Sequence, residues 1–312
     1  MSCLRGVLLQ LRDAFAAGGV ARLAATHANA RRACFAYRLL YGTLNLLLPL
    51  TPLFAIVEAL ERDVGDVGVH KAACAALARP PVPWRVAMPM TSEREIRTAP
   101  AVFYGRHGSV LTPLLLAAAL DRADLRMVAA SYIAKLGPNI ASVSFPVFAA
   151  SRISMRRAGR EGIVPRLLGW IAGKADADVL RETARGRNRT ALDLAAAHVS
   201  AGGAVLIAPD SRDRREAWRI GLGVLLATLA QAPASSSVIL VPWRITGASV
   251  QGIFQLLSRN PLLRALGRFR FRHPVRVALG VPMPLLALIQ RTGTDPRTIT
   301  AYLEERYTSL PF

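Results

Sequence analysis

From about residue 98 onward, short apolar runs alternate with longer segments whose apolar positions recur every three or four residues. The runs 101–105, 126–131, 147–154, 203–208, 237–242 and 274–279 read as strands. The segments 113–121, 163–174, 188–200, 216–231 and 296–307 read as helices. The last opens with Asp295-Pro296, a pair suited to the N-cap and the first helical position. This alternation predicts an α/β fold, a mixed sheet flanked by helices. The chain shows no internal repeat.

The first part of the chain has a different pattern. Residues 1–36 intersperse short apolar groups with Arg5, Arg12, Arg22, Arg31 and Arg32, which predicts one or two basic amphipathic helices. No A-x-A-like site follows an early apolar core, so a cleavable signal peptide is not expected. Leu39 to Val57 carries no charge and has the length of a membrane span. Asn45, Pro49 and Pro52 interrupt it, so a helical hairpin or shallow re-entrant segment fits better than a straight span. A buried core helix is the alternative. A further short helix is expected at 65–79. The rigid stretch after it, Pro80-Pro81-Val82-Pro83, marks a boundary. The expected organisation is a basic, apolar, membrane-associated helical region at 1–80 and an α/β domain at 81–312.

Charge narrows the range of partners. The 312-residue chain carries a formal net charge of +20, and nearly all its basic residues are arginine. Arginine suits bidentate contacts to phosphate, on nucleic acid or on an anionic membrane. Here the arginines are scattered among Leu- and Ala-rich helices, without the aromatic-interleaved stripe of a nucleic-acid surface. An anionic membrane surface is therefore the expected partner, and nucleic acid is not; a biased genome is the alternative source for part of the arginine excess. The mean hydropathy of +0.31 is high for a freely soluble protein. Cys3, Cys34 and Cys74 lack metal-type spacing and read as reduced, packed thiols of a cytoplasmic-facing protein.

Two segments carry candidate chemistry. His107 lies at a strand-to-helix junction, in Gly105-Arg106-His107-Gly108-Ser109. A neutral histidine there is well placed to take a proton near pH 7. Thr112-Pro113 reads as a helix N-cap followed by proline at N1. The run Ala204 to Ala208 reads as a buried strand leaving through the polar turn Pro209-Asp210-Ser211-Arg212. Such turns, at the carboxyl ends of strands, are where α/β folds bind ligands. An ordinary strand exit with solvated charges is the plainer alternative. His27, His70, His198 and His273 share no metal or triad spacing and read as structural or exposed.

These segments, in this order, resemble the glycerolipid acyltransferases. That family has a His-x₄-Asp block, and here His107 is retained while Thr112 stands where the family has Asp. The family's Phe-Pro-Glu-Gly-Thr-Arg block is matched by Pro209, Asp210, Ser211 and Arg212, one residue shorter. The apolar strand ending in a phosphate-contacting Arg is best matched by Arg152, with Arg156 and Arg157 as rivals. Val238 to Gly247 and Val275 to Pro282 resemble the family's later strands, so the resemblance spans roughly 98–285.

The resemblance implies transfer of a fatty acyl chain from acyl-CoA or acyl-carrier protein to a glycerol-phosphate or lysophospholipid hydroxyl. His107 would be the general base, and Arg152, Asp210, Ser211 and Arg212 would bind the phosphorylated acceptor. It implies no metal or tightly bound cofactor, and a membrane-associated location on the cytoplasmic side. Thr112 leaves a second reading open, a non-catalytic lipid-binding or scaffold member of the same fold. Asp210 could also approach His107 and replace the missing carboxylate.

Overall fold

The computed structural model describes residues 2–47, 50–79, 81–107, 111–148, 181–209, 217–248 and 250–310. Its elements are α1 (Ser2–Ala33), α2 (Phe35–Leu47), α3 (Leu50–Val67), α4 (Val69–Leu77), β1 (Trp84–Ala87), α5 (Glu93–Thr98), β2 (Ala101–Gly105) and α6 (Thr112–Leu120). Next come β3 (Leu125–Ala130), α7 (Ser131–Ala134), α8 (Pro138–Ser142), β4 (Ser144–Val147), α9 (Arg181–Ser200), β5 (Ala204–Ile207) and α10 (Gly221–Ala230). The remainder are β6 (Ile239–Thr246), α11 (Val250–Leu257), α12 (Pro261–Arg270), β7 (Val275–Leu279), β8 (Met283–Pro284), α13 (Leu285–Thr292) and α14 (Pro296–Ser309). They form two units. One comprises Met1–Asp66, Ala129–Asn188 and Gln251–Arg270; the other comprises Val67–Val128, Arg189–Val250 and Phe271–Phe312.

In the first unit, α1 is broken at Gly18–Gly19. A straight helix rises about 1.5 Å per residue, which would put the two ends of α1 more than 40 Å apart. Instead, the Cα atoms of Cys3 and Cys34 are 6.6 Å apart, so the two halves fold back on each other. Gly19 makes the reversal with φ +64°, and a Cβ there would lie 1.7 Å from the Lys135 carbonyl oxygen. The N-terminal segment is thus the second of the two expected forms, a pair of helices. The expectation of three reduced thiols is corrected: Cys3 and Cys34 are joined in a disulfide, because the hairpin brings its ends within bridging range. Cys74 is a free thiol.

The seam of the hairpin is the core of this unit. Val7, Leu11 and Phe15 pack with Val20, Leu23, Ala30, Cys34 and Tyr37, and Phe54 and Val57 of α3 close over them. His27 sits inside, 6% exposed, sharing a 2.7 Å hydrogen bond with the Tyr37 hydroxyl and surrounded by Tyr37, Tyr41 and Phe54. Burial, aided by the Arg31 charge, lowers its pKa to about 4. The unfolded chain therefore binds the extra proton between pH 6.5 and 4, and stability is lost as pH falls through that window. Urea unfolding is expected to lose roughly 2–3 kcal/mol between pH 7 and pH 4 on this account. In His27→Asn that component should vanish, and an equally steep pH dependence in the variant would rule out His27 as its source.

In the second unit, the strand order is β1-β7-β6-β2-β5-β3, with β8 also paired to β6. β2 runs parallel to both β5 and β6, β3 parallel to β5, and β1 parallel to β7, whereas β6 is antiparallel to β7 and β8. The fold is α/β with a mixed sheet flanked by helices. β2 is central and Ala101, Val102, Phe103 and Tyr104 are all fully buried, which is why that run is apolar without alternation. Helix α4 packs on α6, and α10 on α14.

Several boundaries differ from expectation. A strand at Ser144–Val147 meets the start of the strand expected at 147–154, whose residues from 149 on lie outside the described residues, as does the helix expected at 163–174. The helix expected from 216 begins at Gly221, because Ala217 to Arg219 form an irregular segment held to neighbouring main chain and side chain. The uncharged stretch 39–57 falls on two helices, α2 and α3. No helix among the described residues is long and apolar enough to cross a membrane.

Candidate active site

The two segments that carried candidate chemistry leave adjacent strands on the same side of the sheet. β2 and β5 are parallel and in register, Ala101 opposite Ala204 and Tyr104 opposite Ile207. Continuing each strand past that register sets Gly105-Arg106-His107 beside Ala208-Pro209. Both leave at the carboxyl ends of central parallel strands, where main-chain groups have no further sheet partners and a ligand can be bound. His107 is half-buried at this edge. Residues 108–110 lie outside the described set, and so do Arg152, Asp210, Ser211 and Arg212.

Thr112 is 1% exposed. The N-cap expectation for it is corrected: α6 begins at Thr112 itself, with Leu111 as the flanking residue and no side-chain cap bond. The fixed φ of Pro113 suits a first-turn position and starts the helix without a side-chain cap. The position where the acyltransferase block has an acid is thus a buried, uncharged residue in the first turn of an apolar helix.

A set of residues far apart in sequence fixes the exit of β2. The Arg106 guanidinium donates from Nη2 to Glu304 Oε1 at 3.0 Å. The other carboxylate oxygen of Glu304 accepts the Trp218 main-chain N–H at 3.0 Å. The Arg106 main-chain N–H reaches the Tyr307 hydroxyl at 3.4 Å, and that hydroxyl donates to the Trp243 carbonyl of β6 at 3.1 Å. Tyr307 therefore ties β2 and β6 together just where their pairing ends. Trp218 packs edge-on against Tyr104 and tilted against Tyr307, and Arg106 lies over the Trp218 ring at 5.9 Å. Burial pushes the Tyr104 phenol far above its ordinary pKa, so it stays neutral.

The second segment is pinned to the same place. Arg219 donates its main-chain N–H to the Pro209 carbonyl at 2.7 Å. Beside it, Trp218 is anchored on Glu304 through its main-chain N–H. None of Arg106, Trp218, Glu304 and Tyr307 stood out in the sequence. The pattern available was Tyr307 and Glu304 at i, i+3 on the amphipathic helix α14, and it points to no partner two hundred residues away.

His70 and His198 have structural surroundings, and His273 is exposed. His70 bonds the Ala117 carbonyl at 3.1 Å and pairs with Asp121 at 3.1 Å, and His198 bonds the Asp124 carbonyl at 2.7 Å. Among the described residues, no group of three His, Cys, Asp or Glu side chains is arranged to hold a metal ion. No family model, curated protein or solved structure matches the chain.

Proposed function

We propose that the chain is a membrane-associated acyltransferase, moving a fatty acyl group from acyl-CoA or acyl-carrier protein to the hydroxyl of a glycerol-phosphate or lysophospholipid acceptor. The observation that carries this reading is the in-register parallel pairing of β2 and β5, whose exits bear His107 and Pro209. A base on one strand exit, beside a neighbouring exit that would carry the phosphate-binding residues, suits acyl transfer to a phosphorylated alcohol.

In this reading, the His107 imidazole takes the acceptor hydroxyl proton as that oxygen attacks the thioester carbonyl. The tetrahedral intermediate then collapses, the carbon–sulfur bond breaks, and the departing thiolate recovers the proton from the imidazolium. Main-chain N–H groups at the strand exit stabilise the developing oxyanion. Asp210, Ser211 and Arg212 hold the acceptor phosphate, with Arg152 as a second cation. The basic N-terminal helices keep the protein at an anionic membrane through their charge.

The direct test is purified protein with labelled acyl-CoA or acyl-carrier protein against a panel of lysolipids and glycerol phosphate. Labelled product is the expected outcome. Arg212→Ala should then weaken acceptor use by roughly 1.5–3 kcal/mol, read as the apparent affinity for the phosphorylated acceptor. An unchanged affinity would exclude Arg212 from the phosphate site. Buried, uncharged Thr112 favours a second reading, a lipid-binding member of the fold without catalysis. Lysolipid binding with no product from any donor would make that reading the correct one.

A further inference from the structure

Helix α12 presents its apolar side to solvent. Leu262, Leu266 and Phe269 are 78%, 42% and 60% exposed. Their i, i+4, i+7 spacing puts them on one face. The opposite side carries Gly267, which is buried. A Cβ on Gly267 would lie 2.7 Å from the Leu256 main-chain nitrogen and 3.0 Å from the Gln255 carbonyl carbon. The glycine lets α12 rest directly on α11, and this contact fixes which face points outward. A soluble amphipathic helix is normally seated the other way round.

The helix is also ordered by its own contacts. Asn260 caps it, its Oδ1 accepting the Leu262 and Leu263 N–H groups at 2.9 and 3.4 Å. Arg264 turns back to the Ser258 and Arg259 carbonyls at 3.3 and 3.5 Å. Thus the apolar face is already ordered before anything binds it, and docking costs little conformational entropy.

Charge identifies what covers this face. Arg259, Arg264, Arg268, Arg270 and Arg272 lie on or beside α12, and no Asp or Glu occurs anywhere between Glu216 and Asp295. Arg268 and Arg270 flank the apolar stripe and are exposed. An apolar ridge bordered by arginines with long aliphatic stems matches the headgroup–acyl boundary of an anionic bilayer, with stems in the boundary and guanidiniums at phosphates. A protein partner would more often be met by mixed charge at the rim.

We propose that α12 is an in-plane membrane anchor that lays Leu262, Leu266 and Phe269 into an anionic lipid surface. It is a second contact, separate from the N-terminal helices, and it does not depend on any chemistry at His107. Full-length protein would be sedimented with vesicles of phosphatidylcholine, alone or mixed with phosphatidylglycerol. Wild type is expected to partition onto the mixed vesicles. Leu262→Gln/Leu266→Gln/Phe269→Gln should lower that partition by about tenfold or more, since three apolar side chains no longer enter the boundary. Arg268→Gln/Arg270→Gln should lower it by roughly 25-fold on the mixed vesicles and far less on phosphatidylcholine alone, at about fivefold per arginine near the surface. All five side chains are exposed, so the melting temperature should hold.

A conservative variant guards against loss of fold. Phe269→Trp should be quenched by acyl-brominated lipids beyond the level of the native tryptophans. Wild-type partitioning of the triple variant, or no added quenching of Phe269→Trp, would overturn the proposal. So would a triple variant whose mass by light scattering halves while its vesicle binding is unchanged, because the ridge would then join two copies of this chain.

Discussion

His107→Ala is expected to lower acyl transfer by about 10²–10⁴-fold, the range supplied by a positioned proton acceptor. Single-turnover rates with labelled donor are the measurement, because they isolate the chemical step from product release. A variant that retains the wild-type rate would remove His107 from the reaction. The companion substitution is Thr112→Asp, which introduces an acid at the position where the acyltransferase block has one. Thr112 is 1% exposed, so a carboxylate there is desolvated and must find a partner. If the partner is the His107 imidazole, the pairing orients the ring and stabilises its charged form, and the rate should rise. A slower, less stable Thr112→Asp would show that another group, with Asp210 the candidate, already orients His107. Inert wild type and inert Thr112→Asp across a broad donor and acceptor panel would favour the non-catalytic reading.

Glu304→Ala is expected to destabilise the second unit by about 3 kcal/mol, the low end for breaking a buried ion pair. Arg106 and Glu304 side chains are 19% and 23% exposed, which is why the low end applies. The loss is double, because the carboxylate also accepts the Trp218 N–H. Glu304→Gln keeps an acceptor for one of the two donors and should lose about half as much. Urea unfolding gives the total. Amide exchange at Arg106 and Trp218 gives the local share, and both should lose protection together. Full stability in Glu304→Ala would mean that Tyr307 and Trp218 packing alone hold the strand exit.

What could be read from the chain follows from how locally each element is determined. β2 and β5 are apolar runs between breakers, and their limits emerge almost as expected. α14 begins where Asp295-Pro296 places it, and Asp295 Oδ2 accepts the Thr298 N–H at 2.8 Å. β1 escaped notice because it is an edge strand, half exposed, with Arg85 interrupting its apolar residues. α12 was not anticipated between two strands: its apolar face turns outward, and Gly267 and the arginines sit where a core-facing pattern would have leucines.

The candidate site divides in the same way. His107 and Pro209 were legible as strand exits, each from its own neighbourhood. That they are neighbours was not, because register between strands a hundred residues apart is set by the whole sheet. Arg106, Trp218, Glu304 and Tyr307 owe their roles entirely to that assembly. The disulfide was missed for a related reason: 31 residues separate Cys3 from Cys34, and the reversal at Gly19 annuls that distance.

The bond from the Arg219 N–H to the Pro209 carbonyl holds two points of the chain, with nine residues between them, at one place. Between two fixed points, each doubling of chain length costs only about 0.6 kcal/mol in closure entropy. Grafting experiments therefore have a natural pair of cut points at Pro209 and Arg219, whose main chains are already joined.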